Sequence, residues 1–305
     1  MAKKDFLQLN GVSKEVLTHL LERAKFMKQA VKEGNPPQDI LKGKMVVNMF
    51  FENSTRTRCS FESAAKYLGA ECVSMSVAQS SVQKGETLVD TAVTLDKMFP
   101  DVMVVRHSMA GAPKIVADHV KASVINAGDG LHAHPTQALL DMFTMQEIFG
   151  RLEGLNVAIV GDIKHSRVVR SNIEGLKTMG ANVKVYGPNT LMPKDADKLD
   201  CHVCKNINEA FVGSDVVMGL RIQLERQQKG LFPSAGEYNK YYGINLDRMA
   251  LANKGAVVMH PGPVNRGIEI SHDVLDSDIC VKDEQVSNGL AVRMALLEML
   301  CKERV

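Results

Sequence analysis

MVVNMFFENSTRTRCSFESAAKYLGAECVSM, residues 45–75, decides the reading of the fold. Met45 to Phe51 is a short apolar run suited to a buried strand. Phe61, Ala64, Ala65 and Leu68 recur at helical spacing, and Glu71 to Met75 reads as a second strand. Strand, helix and strand in so short a span make one parallel α/β unit. Between the first strand and the helix lie the hydroxyls of Ser54, Thr55 and Thr57 and the guanidiniums of Arg56 and Arg58. A helix N-terminus already favours an anion through its unpaired N–H groups and its dipole, so phosphate is the expected guest. The ordinary alternative is an N-cap serine beside solvated arginines. Convergence of five donors rather than one favours the anion site.

Working outward, residues 13–33 place Val16, Leu17, Leu20, Leu21, Ala24, Met27 and Val31 on a helical face behind the N-cap candidate Ser13, and Gly34 and Pro36 close the run. Val102–Val105 and Ser123–Asn126 read as further strands, and Pro135 to Phe149 as a helix. Gly150 and Gly154 mark a boundary. Beyond it a second strand series occupies Asn156–Val160, Val183–Tyr186, Val216–Met218 and Ala256–Met259. The expected class is α/β: two similar domains, each a parallel sheet flanked by helices, with the active site in the cleft between them. A last helix, roughly Gln285 to Lys302, could finish the second domain or cross back to the first.

The chain has 305 residues, about twice an ordinary domain, which agrees with two domains. Lys and Arg number 37 against 35 Asp and Glu, so the near-neutral balance argues against a nucleic-acid or membrane-surface partner. The absence of Trp and the 5% aromatic content argue against stacking platforms for single strands. MAKKDFLQLNG carries no apolar stretch of signal-peptide length and no apolar run approaches a membrane span, so a cytoplasmic address is expected. The six scattered Cys are expected as reduced thiols. Cys201-His202-Val203-Cys204 has the spacing of half a zinc site but lacks a second Cys or His pair, and no metal is assigned. Without a Gly-x-Gly-x-x-Gly fingerprint after Val160, no nucleotide is assigned either.

Three motifs together carry a resemblance. Ser54-Thr55-Arg56-Thr57-Arg58, Lys84-Gly85-Glu86-Thr87 and His134-Pro135-Thr136-Gln137-Ala138-Leu139-Leu140-Asp141 resemble, in order and spacing, the signatures of the carbamoyltransferases. Arg221-Ile222-Gln223-Leu224-Glu225-Arg226 and His260-Pro261-Gly262-Pro263 look like the aspartate branch, since ornithine enzymes carry His-Cys-Leu-Pro at the latter place.

The resemblance implies transfer of the carbamoyl group of carbamoyl phosphate to the amine of L-aspartate, in pyrimidine biosynthesis, with no cofactor. It implies that Ser54, Thr55, Arg56 and Thr57 hold the phosphate, that Arg106 bridges phosphate and carbonyl oxygen, and that His134 and Thr57 help polarise that carbonyl. Gln137 would recognise the carbamoyl NH2, aided near Gly262 and Pro263. Ser80 and Lys84 would come from a loop that reaches a neighbouring subunit's site, making a homotrimer with shared sites. Arg167, Arg221 and Gln223, with Lys84, would hold the aspartate carboxylates, for which guanidinium forks are suited. Residues 1–135 with the C-terminal helix 285–305 would form the carbamoyl-phosphate domain, 135–149 a connecting helix, and 150–284 the aspartate domain. The segment Val264–Glu269 resembles a branch in which dihydroorotase sometimes joins the complex more than the branch with regulatory chains; from their charges, Arg266 and Glu269 are expected to form ion pairs that steady the loop or the closed domains. Competing readings are an ornithine acceptor, a non-catalytic subunit that keeps the phosphate site, and a nucleic-acid binder.

Overall fold

The computed structural model describes residues 5–76, 85–222 and 234–302. The chain divides into two compact units, Met1–Phe143 with Val286–Val305, and Thr144–Gln285.

In the first unit, helix α1 (Lys14–Lys32) starts at Ser13, whose hydroxyl accepts from the Val16 N–H, and buries Leu17, Leu20, Leu21, Ala24 and Met27. Strand β1 (Met45–Phe50) leads into α2 (Thr55–Tyr67), β2 (Glu71–Ser76), α3 (Leu88–Asp96), β3 (Val102–His107), α4 (Ala112–His119) and β4 (Ser123–Asp129). The four strands are all parallel in the order β2-β1-β3-β4. Burial runs almost unbroken along β1, β3 and β4 because helices cover both faces of such a sheet. Val47, Met49, Met103, Val105 and Val124 pack with Ala92, Val116 and Val120 of the surrounding elements into one core.

Helix α5 (Pro135–Phe149) carries the chain from the first unit into the second. There β5 (Asn156–Val160), α6 (Arg167–Thr178), β6 (Asn182–Tyr186), β7 (His202–Val203), α7 (Ile207–Phe211), β8 (Val216–Gly219), α8 (Ala235–Tyr242), α9 (Leu246–Met249), β9 (Val257–Met259) and α10 (His272–Leu275) follow. This sheet is also parallel, in the order β7-β6-β5-β8-β9. Its core joins Ala158, Val160, Val217 and Val258 to Phe211, Ile244, Ile270 and Val274.

The last helix, α11 (Lys282–Lys302), returns to the first unit from Val286 onward. Arg23 of α1 grips Glu298 with two nitrogens at 2.9–3.0 Å, and Arg293 donates to the Ser60 hydroxyl at 2.8 Å. No described helix is long and apolar enough to cross a membrane.

Both sheets contain a topological switch. The chain moves from β1 outward to β2 and then returns to the other side of β1 for β3. It likewise moves from β5 out to β6 and β7 and returns beside β5 for β8. Loops leaving the C-terminal ends of β1 and β3, or of β5 and β8, diverge to opposite faces and leave a crevice in which open α/β sheets take ligands.

Candidate active site

Every expected site residue of the first unit that the structure describes lies at or beyond the C-terminal end of β1, β3 or β4. Phe50 is in register with Arg106, and the Phe51 N–H donates to the Arg106 carbonyl at 2.8 Å. Ser54 takes the N-cap position of α2 with extended backbone, yet its hydroxyl makes no capping hydrogen bond, and no acidic residue lies in the first turn. The hydroxyl is therefore not committed to the helix, and the turn keeps its positive end. Thr57 is buried, Ser54 half-buried, and Thr55 and Arg56 are exposed. Arg58, counted above among the donors, lies instead beside Glu62 one turn along, at 3.7 Å.

Arg106 is the best-anchored cation of this edge. One nitrogen donates to the Ala127 carbonyl on β4 at 3.2 Å, and Nε faces the Glu52 carboxylate at 3.4 Å. Both side chains are only 13% exposed, so the guanidinium is held on both flanks with little water around it.

His134 is buried and immediately precedes α5, whose first residue is Pro135, a ring that suits the first helical position. Its approach is fixed by Asp129, a residue the sequence reading did not single out. Asp129 is 1% exposed and accepts from Gly111 N at 2.7 Å, Asn126 Nδ2 at 2.8 Å and Ala133 N at 3.0 Å, with His132 Nδ1 at 3.0 Å. One carboxylate thus ties the start of α4 to the loop that delivers His134. Gln137, one turn into α5, is buried and donates from Nε2 to Asp141 at 3.0 Å. Close by, His107 stays below the usual imidazole range because burial outweighs the field of Asp129, and its Nδ1 accepts from the Met109 N–H at 2.9 Å.

The second unit repeats the plan. Arg167 opens α6 just beyond β5, behind the N-cap Ser166, and is 9% exposed. Arg221 follows β8 two residues on and is half-buried. Gly161 ends β5 at φ +133°, and a Cβ there would meet the Leu220 carbonyl at 3.0 Å and the Tyr238 hydroxyl at 3.3 Å, so glycine lets the two strand ends approach. Asp162 accepts from His165 N and Nδ1 at 3.0 and 2.9 Å, which shapes the turn before Arg167.

Glu269 does the same for Arg221. It accepts from Ile222 N at 2.8 Å, Asn265 N at 2.7 Å and Asn265 Nδ2 at 2.7 Å. Burial pushes its carboxyl above the usual range despite these donors. The expected ion pair is therefore corrected in part: Arg266 pairs with Asp276 at 3.0 Å in an exposed contact, while buried Glu269 is held by amides.

Gly262 and Pro263 lie in the second unit, on the turn after β9, where His260 Nδ1 accepts from the Gly262 N–H at 2.8 Å. Ser80, Lys84 and Gln223 lie outside the described residues. His202, Cys204 and Glu209 have donor atoms within 4.8 Å of one another, the carboxylate supplying the third group that Cys and His counting missed. His202 Nε2 is bonded to Glu209 at 2.7 Å, and burial pushes the Cys204 thiol up to about 11.

Arg56 and Arg106 thus flank one switch point and Arg167 and Arg221 the other. This defines a two-unit α/β protein with arginines gathered at the C-terminal edges of both its sheets. The chain belongs to the aspartate/ornithine carbamoyltransferase family: residues 4–147 match its carbamoyl-P binding domain and residues 153–300 its Asp/Orn binding domain. It is 53% identical over 305 residues to the aspartate carbamoyltransferase catalytic subunit of Ruminiclostridium cellulolyticum, covering 100% of this chain and 97% of that protein. Among solved structures it resembles aspartate transcarbamoylase from Trypanosoma cruzi in complex with carbamoyl aspartate and phosphate, with TM-score 0.88, 32% identity, and coverage of 97% and 95% of the two chains. It also resembles ornithine carbamoyltransferase from Thermus thermophilus, with TM-score 0.86, 27% identity, and coverage of 99% and 100%. The fold alone therefore does not choose the acceptor.

Proposed function

We propose that this chain transfers the carbamoyl group of carbamoyl phosphate to the amine of L-aspartate, giving N-carbamoyl-L-aspartate and phosphate. The observation that carries the reading is the pairing of arginines with switch points: Arg106 at the C-terminal end of β3 in one unit, and Arg167 with Arg221 beyond β5 and β8 in the other. The first set suits a phosphate and a carbonyl. The second suits two carboxylates and would repel the cationic side chain of ornithine.

In this mechanism the neutral amine attacks the carbonyl carbon. The carbonyl oxygen takes up negative charge, and Arg106, Thr57 and His134 stabilise it with donors already in place, so little reorganisation is needed as the charge develops. The bond from carbon to the phosphate oxygen then breaks. Ser54, Thr55, Arg56 and Thr57 receive the growing charge on the leaving phosphate, which takes the proton released by the amine. Positioning and electrostatics carry the rate, without a side-chain base.

Further readings belong to the same proposal: a homotrimer with shared sites, a cytoplasmic location, a place in pyrimidine synthesis, and association with regulatory chains or dihydroorotase. The trimer draws support from apolar surface on the first unit, where Met98 is 58% and Phe99 87% exposed, the latter held at φ 60°. The test is release of phosphate and formation of ureido product by the purified chain with carbamoyl phosphate and L-aspartate, L-ornithine or no acceptor. Turnover with aspartate alone supports the proposal; turnover with ornithine, or with neither amine, refutes it.

A further inference from the structure

We propose that Asp141 is a positioning residue that fixes which end of the Gln137 amide faces the substrate, and so sets selectivity for a carbamoyl over an acetyl group. The proposal rests on the reading of Gln137 as the group that meets the carbamoyl NH2. Gln137 and Asp141 are one turn apart on α5, both buried, with Nε2 to Oδ1 at 3.0 Å. An ionised carboxylate only accepts, so the amide must turn its NH2 toward Asp141. Oε1 then remains as the acceptor on the amide's other side. An acceptor suits a substrate NH2 and has nothing to offer a methyl group.

A buried positive charge on α11 lies within the field of Asp141. Arg293 is buried at 4% exposure, donates to Ser60 at 2.8 Å, and lies over the Phe61 ring at 5.2 Å. Its helix packs closely on α5: a Cβ on Gly289 would meet Arg293 Nη1 at 2.6 Å and Leu140 Cδ2 at 3.1 Å. The field of Asp141 acts on this guanidinium, which burial lowers to about 10. Arg293 and Asp141 are thus an internal pair whose outer output is the orientation of one amide.

The experiment measures binding of carbamoyl phosphate, acetyl phosphate and inorganic phosphate by calorimetry to the wild-type chain, Asp141→Asn and Gln137→Glu. In Asp141→Asn the new side chain can offer either a carbonyl or an NH2, so the Gln137 amide loses its fixed direction. The expected result is loss of roughly tenfold in the preference for carbamoyl over acetyl phosphate, with inorganic phosphate affinity within about twofold of wild type.

Gln137→Glu keeps Asp141 and guards against a folding defect in the first variant. The substitution sets a second carboxyl beside Asp141, whose field also reaches the Arg293 guanidinium. The proton of that new carboxyl is held more tightly than normal. Protonated, it donates to Asp141 and presents a carbonyl, so the preference should return as pH falls and vanish as pH rises; the ratio of two phosphate ligands cancels their own ionisation. Equal weakening of all three ligands in Asp141→Asn, an unchanged preference, or a pH-independent ratio in Gln137→Glu overturns the proposal. A wild-type chain without the preference refutes the Gln137 reading itself, whereas a wild-type preference that survives in Asp141→Asn refutes only the role of Asp141.

Discussion

Replacing Asp129 by asparagine tests how the fold delivers His134. The carboxylate takes Asn126 Nδ2 and Ala133 N on Oδ1, and Gly111 N and His132 Nδ1 on Oδ2. An asparagine has one carbonyl and can keep one of these two sets. If the Oδ1 set is kept, the new NH2 faces the Gly111 N–H at the former 2.7 Å contact, donor against donor. The half-exposed ring of His132 can turn to accept, whereas the Gly111 N–H cannot. One backbone donor left unsatisfied costs about 1–3 kcal/mol, and the retained bonds lose their charge assistance, so destabilisation of roughly 2–4 kcal/mol is expected. The loop that relaxes runs directly into His134. A shift of about 1 Å at a reacting group can cost on the order of a hundredfold, so kcat should fall roughly tenfold to a hundredfold even where the variant is fully folded. Urea unfolding gives the first quantity and initial rates at saturating substrates the second. A variant within about 0.5 kcal/mol of wild type with unchanged kcat would refute the assignment of Asp129 as the anchor of this loop.

Three further outcomes follow from the same geometry. Arg106→Lys keeps the charge but cannot hold the Ala127 carbonyl and Glu52 while presenting a fork, so kcat should drop about a hundredfold or more, read from initial rates with aspartate. Arg167→Ala should raise the KM for aspartate at least roughly tenfold while the calorimetric affinity for carbamoyl phosphate stays near wild type, because that residue belongs to the second switch point. Glu269 has its folded-state carboxyl above the unfolded value near about 4.3, so the folded protein binds this proton more tightly than the unfolded chain. Its contribution is therefore full below the unfolded pKa and declines as pH rises through the raised folded pKa; Glu269→Gln should flatten that decline in urea melts taken at pH values rising from about 4.3.

The sheets were legible in the sequence because a parallel strand covered on both faces reads as a near-continuous apolar run: Val102–Val105 and Asn156–Val160 are such runs and became β3 and β5. Strand β7 was missed, since two residues, His202 and Val203, are too few to show a period. The last helix was found, but its burial does not follow its apolar residues. Val286 is 56% exposed, while residues 291–298 are buried all round, Arg293 and Glu298 included. That difference has a physical cause: periodicity reports apolar side chains and is blind to charges buried with partners distant in sequence, such as Arg23 with Glu298 and Arg293 with Ser60.

The same blindness shaped the site. Residues proposed to meet substrate, such as Arg56, Arg106 and His134, stood out through donor clustering, strand ends and family motifs. Asp129 bonds the loop before His134, Asp141 the Gln137 amide and Glu269 the backbone beside Arg221, yet Asp129 sits in a plain Gly-Asp-Gly sequence, and only the fold shows its four donors converging. Arg58 shows the converse, a charge credited to the site from proximity in sequence that the helix aligns with Glu62 instead.

The most direct test of the account follows the carbon itself. Carbamoyl phosphate labelled with carbon-13 at the carbonyl is incubated with L-aspartate and either wild-type chain or Arg106→Ala, and the carbonyl resonance is followed by NMR. The account predicts transfer of the label into N-carbamoyl-aspartate by the wild type, and slowing by about two to three orders of magnitude in a folded Arg106→Ala variant. Label that never reaches aspartate, or reaches it equally fast without Arg106, would contradict it.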